Sequence, residues 1–232
     1  MDQVLGVVRL QLLNFRLGVL VPLGVLGAVM AINLAMFAAN GPGTDPTAYT
    51  SARLTFYLTV GTGYLQIATQ TFRFVLGMGV TRRAFATAVA VLAVLEAAGY
   101  GALLGVLRLV EQATDGWGTG LELLGPGHLG ADAGPLLHWL AYAVPFVALA
   151  AAGAFVGAVF ARWAAPGVYG LVIGLTVVLG GSAVLITLAD GWAAIPRWLA
   201  AQPPLALTTG YPLVLAALLG GAGWLVLRRT SA

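Results

Sequence analysis

The stretch GMGVTRRAF, residues Gly77–Phe85, joins two long apolar runs at residues 54–78 and 84–107. Adjacent arginines stand out here because the 232-residue chain has 11 basic and 8 acidic residues. The glycines, Gly79 among them, are expected to loosen the end of one helix, and Thr81 can cap the start of the next. The stretch therefore predicts a tight turn between two antiparallel helices.

The composition around this turn is that of a membrane protein. Sixty per cent of the residues are hydrophobic and 8% are charged, and the mean hydropathy is +0.95. A water-soluble fold would have too little polar surface to cover itself. A membrane helix needs about 20 apolar residues, and the runs are too long for barrel strands. We expect one all-α transmembrane domain, residues 1–232, with six spans at residues 17–38, 54–78, 84–107, 136–161, 168–189 and 207–227.

The first 16 residues predict a helix lying in the membrane interface. Asp2, Arg9 and Arg16 recur every seven residues, which places polar groups on one side of a helix. The segment lacks the basic start and small-residue cleavage site of a signal peptide. A plain helical extension of the first span is the alternative.

Arginine positions predict the orientation in the membrane. One set of loops and ends carries Arg9, Arg16, Arg82, Arg83, Arg162, Arg228 and Arg229. The other set carries Arg53, Arg108 and Arg197 together with most of the acidic residues. Because cytoplasmic loops are enriched in basic residues, both termini are expected to be cytoplasmic. On this reading the net charge of +3 sets topology and does not indicate nucleic-acid binding.

Missing residue types exclude several functions. The chain has no cysteine, which excludes thiol catalysis and cysteine metal sites. It also has no lysine, which excludes a Walker A phosphate loop on this chain. His128 and His138 do not form a recognised metal-ligand pattern. No catalytic, cofactor or metal site is predicted, and any ATP that drives the protein must be hydrolysed by another polypeptide.

Polar side chains recur at three- or four-residue steps along the second predicted span: Thr59, Thr62, Gln66, Thr69, Gln70 and Arg73. Polar groups are costly in hydrocarbon, so this stripe is expected to avoid lipid. It either lines a translocation cavity or hydrogen-bonds to neighbouring helices.

Glu96 is the carboxylate placed deepest in the predicted spans. Glu96 and Gln66 are each 12 residues from the turn region, which puts both at a depth of about 18 Å in a helical hairpin. A carboxylate at this depth is expected to be protonated or paired. The expected partners are Gln66, Gln70, Tyr100 and Arg73. Glu96 is then either a gating or cavity group or a neutral packing contact, and one carboxylate alone gives no acid–base pair for an enzyme.

These features together resemble a known family. The interfacial helix, six spans, GMGVTRRAF turn, aromatic-rich external segment and GWLVLRR ending resemble the permease subunit of type-2 ABC transporters, especially the small bacterial six-helix exporters. Motif similarity is confined to Phe74–Phe85 and Gly223–Arg229. In that family the turn after the second span docks on a separate ATP-binding subunit. The resemblance implies an ATPase contact that includes Gly79, Val80, Thr81, Arg82, Arg83 and Phe85.

The resemblance also implies partners and a location. The permease would work as a dimer, with a second copy and two ATPase subunits that hold ATP and Mg²⁺, in the bacterial inner membrane. Hydrophobic or amphipathic cargo such as a drug, peptide or lipid-like compound is expected. Arg73 departs from the family pattern. Two alternatives stay open: the arginine turn is only a topology anchor, or the chain is the six-helix substrate-binding component of a vitamin or small-molecule uptake system.

Overall fold

The structure is a computed structural model that describes residues 15–40, 51–67, 69, 72–120, 123–125 and 134–229. These residues are almost entirely helical, and no strand occurs among them. The helices are α1 Phe15–Asn40, α2 Ser51–Gln66, α3 Phe72–Gly77, α4 Arg82–Ala113, α5 Pro135–Leu188, α6 Ala194–Ala201 and α7 Tyr211–Arg228. Shorter helical turns lie at Gly116–Gly120, Gly191–Ala193 and Ala206–Gly210. Residues 1–14 of the expected interfacial helix lie outside the described part of the chain.

The long helix α5 contains a break at Ala164, whose φ of 53° and ψ of −150° are not helical. The break separates a first arm, residues 135–163, from a second arm, residues 165–188. Leu171 of the second arm and Phe155 of the first arm border the same small cavity, so the chain folds back on itself. The break falls in the expected interval between the fourth and fifth spans.

The residues around the break explain why the helix stops there. Pro166 lacks an N–H for the helical hydrogen-bond ladder, and it lies in the first turn of the second arm, where this N–H is not needed. At Gly167 an added Cβ would lie 2.5 Å from Cβ of Trp163. The start of the second arm therefore packs so closely on the end of the first arm that only glycine fits. The guanidinium of Arg162 lies over the Trp163 ring, 4.6 Å from its centroid.

The second predicted span, 54–78, contains two α-helices, and the described residues 67 and 69 between them have wider, π-helical turns. α2 ends at Gln66, and α3 begins only at Phe72. The hydroxyl of Thr69 donates to the carbonyl of Leu65 at 2.9 Å and to that of Gln66 at 3.2 Å. The Thr69 hydroxyl is therefore satisfied by carbonyls of the preceding helical turn.

The main core joins α2, α4 and the first arm of α5. The ring of Phe56 lies 5.2 Å from that of Tyr100 and 5.4 Å from that of Phe146, both in edge-on geometry. Leu104 and Tyr142 are also fully buried in this cluster. α1 packs against the outside of α2. Large aromatic side chains therefore hold the three central helices together.

A second, smaller core lies at the end of the bundle near the turn. It consists of buried residues from α3, α4, the first arm of α5 and α7: Phe72, Phe85, Ala88, Ala158, Ala161 and Leu227. The rings of Phe72 and Phe85 are 5.2 Å apart. The turn between α3 and α4 is thus fixed to the main bundle on one side and to α7 on the other.

The outer surface exposes more large apolar side chains than is usual for a protein surrounded by water. Leu185 and Val177 in the second arm are 68% and 67% exposed, and many large apolar side chains on α4 and α7 are similarly open. Four stretches are long and apolar enough to cross a membrane: Val19–Ala39, Arg82–Ala113, Pro135–Leu188 and Ala206–Arg228. Exposed apolar surface of this extent marks contact with lipid or protein. The chain is an all-α membrane protein.

Candidate functional site

The turn between α3 and α4 has the local structure that its sequence predicts. Gly79 has a φ of 82°, a left-handed conformation that glycine adopts without steric cost. The hydroxyl of Thr81 accepts a hydrogen bond from the N–H of Ala84 at 3.2 Å and so caps α4. The predicted cap is confirmed. This cap places Arg82 and Arg83 in the first turn of α4.

The two adjacent arginines have different environments. Arg82 is partly buried, and its Nη1 donates to the carbonyl of Arg228 at the end of α7, 3.3 Å away. Arg83 is exposed and lines a cleft between helices. Phe85 is buried against Phe72 beneath the turn and borders the cleft. The basic end of α7 therefore lies beside the arginine turn.

The cleft beside Arg83 lies between α4, the first arm of α5 and α7. Its volume is about 760 Å³. Its walls are mostly small apolar residues, among them Ala90, Ala93, Ala150, Ala154 and Gly220. Among the described residues that line it, Arg83 is the one charged side chain, and it lies at the end nearest the turn. The cleft therefore offers apolar contact along its length and one positive charge at one end.

The described side chains of the predicted polar stripe, Thr59, Thr62, Gln66 and Thr69, are not among the residues that line this cleft. The hydroxyls of Thr59 and Thr62 donate to carbonyls one turn earlier in their own helix, at 2.8 and 2.9 Å, and Thr69 does the same with Leu65. Thr62 and Gln66 are exposed on the surface of α2. Gln70 and the side chain of Arg73 lie outside the described part of the chain. The described threonines satisfy their hydroxyls within their own helix and have no need of a cavity.

Glu96 has a partner that the sequence did not identify. The hydroxyl of Tyr64 in α2 donates to Oε2 of Glu96 in α4 at 2.7 Å. Gln66, an expected partner, is exposed instead. Tyr64 is itself buried in the main core and borders the inner end of the cleft. The signal for this pair was available, because Tyr64 is one of the polar-tipped residues near the depth assigned to Gln66 and Glu96.

A second carboxylate site, at the opposite end of α4, was also missed. Glu111 is 1% exposed, and its Oε1 accepts hydrogen bonds from the backbone N–H groups of Leu123 at 2.7 Å and Leu124 at 3.1 Å. Its Oε2 forms an ion pair with Arg108 Nη1 at 2.7 Å. The spacing of Arg108 and Glu111, three residues apart on one helix, is the sequence signal for this pair.

The same short loop is held from two other helices. Nη1 of Arg53 in α2 donates to the carbonyl of Gly125 at 2.6 Å. The hydroxyl of Tyr142 in α5 donates to the carbonyl of Leu124 at 2.9 Å. Residues 123–125 are therefore fastened to α2, α4 and α5 at the end of the bundle away from the arginine turn. We call this arrangement the Glu111 clamp.

Metal binding has no support in the described part of the chain. Within it, no three His, Asp or Glu residues lie close enough together to hold a metal ion. Two groupings of charged residues stand out in the described part of the chain, the arginine turn and the Glu111 clamp. The cleft extends from the first of these towards the bundle centre.

No protein-family model, no curated protein and no solved structure matches this chain. A functional assignment therefore depends on the turn, the cleft and the membrane fold themselves.

Proposed function

We propose that this chain is the membrane-spanning permease subunit of an ATP-driven ABC exporter. In this proposal two copies of a separate ABC subunit bind ATP and Mg²⁺ and carry out hydrolysis, so the chain is not itself an enzyme. Two identical permease copies form the membrane part. Closure of the ATPase subunits switches the permease dimer between inward-open and outward-open states.

One observation carries the proposal: an exposed arginine turn that is mechanically connected to three helices. Phe85 packs on Phe72 beneath the turn, and Arg82 is bonded to the carbonyl at the end of α7. A force applied to the turn therefore reaches α3, α4 and α7 together. This is the property required of a segment that transmits motion from a separate motor. The proposed contact comprises Gly79, Val80, Thr81, Arg82 and Arg83, with Phe85 supporting it from below.

The proposal includes six membrane spans with both termini cytoplasmic, in a bacterial inner membrane. The break at Ala164 supports this number, because each arm of α5 is then long enough to cross the bilayer alone. The seven arginines assigned to the inner side include the turn and the end of α7, which lie together in the structure. Their shared location agrees with one cytoplasmic face.

The proposed cargo is hydrophobic or amphipathic. The cleft of about 760 Å³ has mostly apolar walls, which suits such a molecule better than a hydrophilic ion. The same cleft favours the second candidate, a substrate-binding component of a small-molecule uptake system. That component would bind its ligand in the cleft without needing ATPase contact at residues 79–83.

Charge reversal at the turn tests the proposal. The chain is purified from the membranes of its own cells, and co-purified subunits are identified by mass spectrometry and by ATP hydrolysis. We expect a stoichiometric partner whose sequence contains a phosphate-binding loop. The Arg82→Glu/Arg83→Glu variant should retain at most about a tenth of that partner, because like charges across an interface cost several kcal/mol.

A matched variant separates contact from general charge effects. Arg228→Glu/Arg229→Glu carries the same charge change at the same end of the bundle, and both side chains are exposed. It should retain most of the ATPase. The proposal fails if the wild-type chain brings down no nucleotide-hydrolysing partner, or if both double variants lose it equally while their helical content and thermal midpoint stay normal.

A further inference from the structure

The cleft beside Arg83 has the length of one membrane leaflet. Its lining residues on α4 run from Arg83 to Val94, which is a rise of about 16 Å in an α-helix. One leaflet of a bilayer contributes about 15 Å of hydrocarbon, half of the whole core. With Arg83 at the level of the head groups, as in the proposed orientation, the cleft would end near the membrane midplane.

The walls of the cleft suit a hydrocarbon chain. Besides Arg83, the polar side chains that line it are Tyr64, Thr87 and Trp224. The Tyr64 hydroxyl is already used in its hydrogen bond to Glu96, so it is not a free donor at the inner end. The rest of the lining is aliphatic or aromatic. A polar ligand would lose its hydration here without replacement hydrogen bonds.

The end of the cleft nearest the turn carries the positive charge of Arg83, which forms no ion pair within the described structure. Arg82 is bonded to the carbonyl of Arg228, whereas Arg83 makes no hydrogen bond or ion pair with any described residue. Trp224 lines the cleft on α7, near the same basic end, as indole rings commonly do at membrane interfaces. Charge complementarity thus favours an anionic group at this position.

We propose that the cleft is a binding site for an anionic phospholipid of the adjacent leaflet. Its phosphate contacts Arg83, and one acyl chain lies along Ala90, Ala93, Ala150 and Gly220. Lipid tails are as apolar as the cleft walls, so an acyl chain gains little free energy by moving from the bilayer into the cleft. Selectivity must then come from the head group and Arg83. The proposal does not depend on an ATPase partner or on the direction of transport.

Native mass spectrometry of the full-length chain tests the site. The detergent-solubilised protein is titrated with dioleoyl phosphatidylglycerol or dioleoyl phosphatidylcholine, and the apparent Kd of the first bound lipid is measured. The wild type should prefer phosphatidylglycerol by about fivefold, the effect expected of one basic residue near a membrane surface. Arg83→Gln should abolish this preference, whereas Arg229→Gln, which removes an exposed charge outside the cleft, should keep it.

Adjacent glycines on α7 provide a test of shape. Gly220 lines the cleft and Gly221 does not, and an added Cβ meets nothing within 4 Å at either position. Gly220→Leu should weaken the binding of both lipids at least about threefold because its side chain occupies the path of the acyl chain. Gly221→Leu should leave both affinities unchanged.

Three results would overturn the proposal. The first is equal binding of both lipids by the wild type. The second is equal loss of preference in Arg83→Gln and Arg229→Gln, which would indicate a diffuse charge effect. The third is lipid binding by monomers that disappears in dimers of this chain, which would show that a second copy covers the cleft. Each result can be obtained without the ATPase, so failure here is distinct from failure of the exporter proposal.

Discussion

At the scale of single residues, the buried carboxylate of Glu111 has the most demanding environment in the described structure. Glu111 is 1% exposed. It accepts hydrogen bonds from two backbone N–H groups and forms an ion pair with the guanidinium of Arg108. A charge taken out of water is tolerated only when its partners replace hydration. Glu111 therefore depends on the loop at residues 123–125, and the loop depends on Glu111.

Substitution of Glu111 tests this dependence. Glu111→Ala should lower the free energy of unfolding by about 3–5 kcal/mol, because it removes one partner of a buried ion pair. Glu111→Gln keeps an acceptor for the two N–H groups and should cost about 1–2 kcal/mol. Reversible unfolding in mixed micelles measures both values. Gln112→Ala, at an exposed neighbouring position, is the control and should change little.

Residue pairs across helices were the hardest feature to predict from sequence. Periodicity placed Glu96 and Gln66 at a similar depth, but the hydrogen bond to Glu96 comes from Tyr64, two residues earlier. The rotation of α2 about its axis decides which residue faces α4, and that rotation is set by packing of Phe56 and its neighbours. Thr81, whose role depends on its own turn alone, was predicted correctly.

At the scale of helices, close packing between α2 and the first arm of α5 depends on Gly153. A Cβ added there would collide with the carbonyl oxygen of Gly61 and would lie 3.0 Å from the nitrogen of Leu65. Gly153 and Gly157 have the four-residue spacing of a small-residue pair, but Gly170 and Gly174 have the same spacing, and an added Cβ meets nothing within 4 Å at either of them. Spacing alone does not distinguish a packed glycine from an open one.

Alanine substitution should separate the two kinds of glycine. Gly153→Ala should destabilise the fold by about 1–3 kcal/mol, because an overpacked contact moves backbone. Gly174→Ala should be neutral or should stabilise by about 0.5–1 kcal/mol, because alanine is the better helix former. Thermal midpoints in detergent measure the difference. Equal shifts in the two variants would contradict the packing described here.

The break in α5 stores strain at Ala164. Its φ of 53° and ψ of −150° lie near a region that is open mainly to glycine. Ala164→Gly should therefore stabilise the fold by about 1–2 kcal/mol, the relief of strain less the greater flexibility of glycine in the unfolded chain.

The neighbouring alanine provides the control for this substitution. Ala165 is not among the residues with positive φ. Ala165→Gly should therefore destabilise the fold by about 0.5–1 kcal/mol, because glycine gains no strain relief there and loses more conformational freedom on folding. Opposite signs in the two variants are the expected outcome, measured as shifts in the thermal midpoint. Destabilisation by both would show that Ala164 is not strained.

At the scale of the whole molecule, hydrophobic runs predicted the positions of the long helices well. The run at 17–38 lies within α1, the run at 84–107 lies within α4, and a boundary was expected where α5 breaks. One feature was not predicted. α4 continues to Ala113, beyond the expected end of the span, and Glu111 near its end is paired with Arg108 and with the loop at residues 123–125.

Accessibility labelling tests the proposed orientation. The chain has no cysteine, so single introduced cysteines are unique labels in an otherwise silent background. Met78→Cys, at the exposed arginine turn, should react with a membrane-impermeant maleimide only after the membrane is opened. Ala200→Cys, exposed at the end of α6, should react in intact cells. Reaction of both positions from the same side would refute the six-span arrangement.

The hydrogen bond from Arg82 to Arg228 has a consequence for biogenesis. It joins positions 146 residues apart in the chain. A ribosome that has inserted α3 and α4 into the bilayer has not yet made the carbonyl that holds their turn. During translation the turn of the nascent hairpin therefore lacks this bond until α7 has been made. In the proposed exporter, the ATPase contact at the turn would therefore gain this support only after α7 has been synthesised.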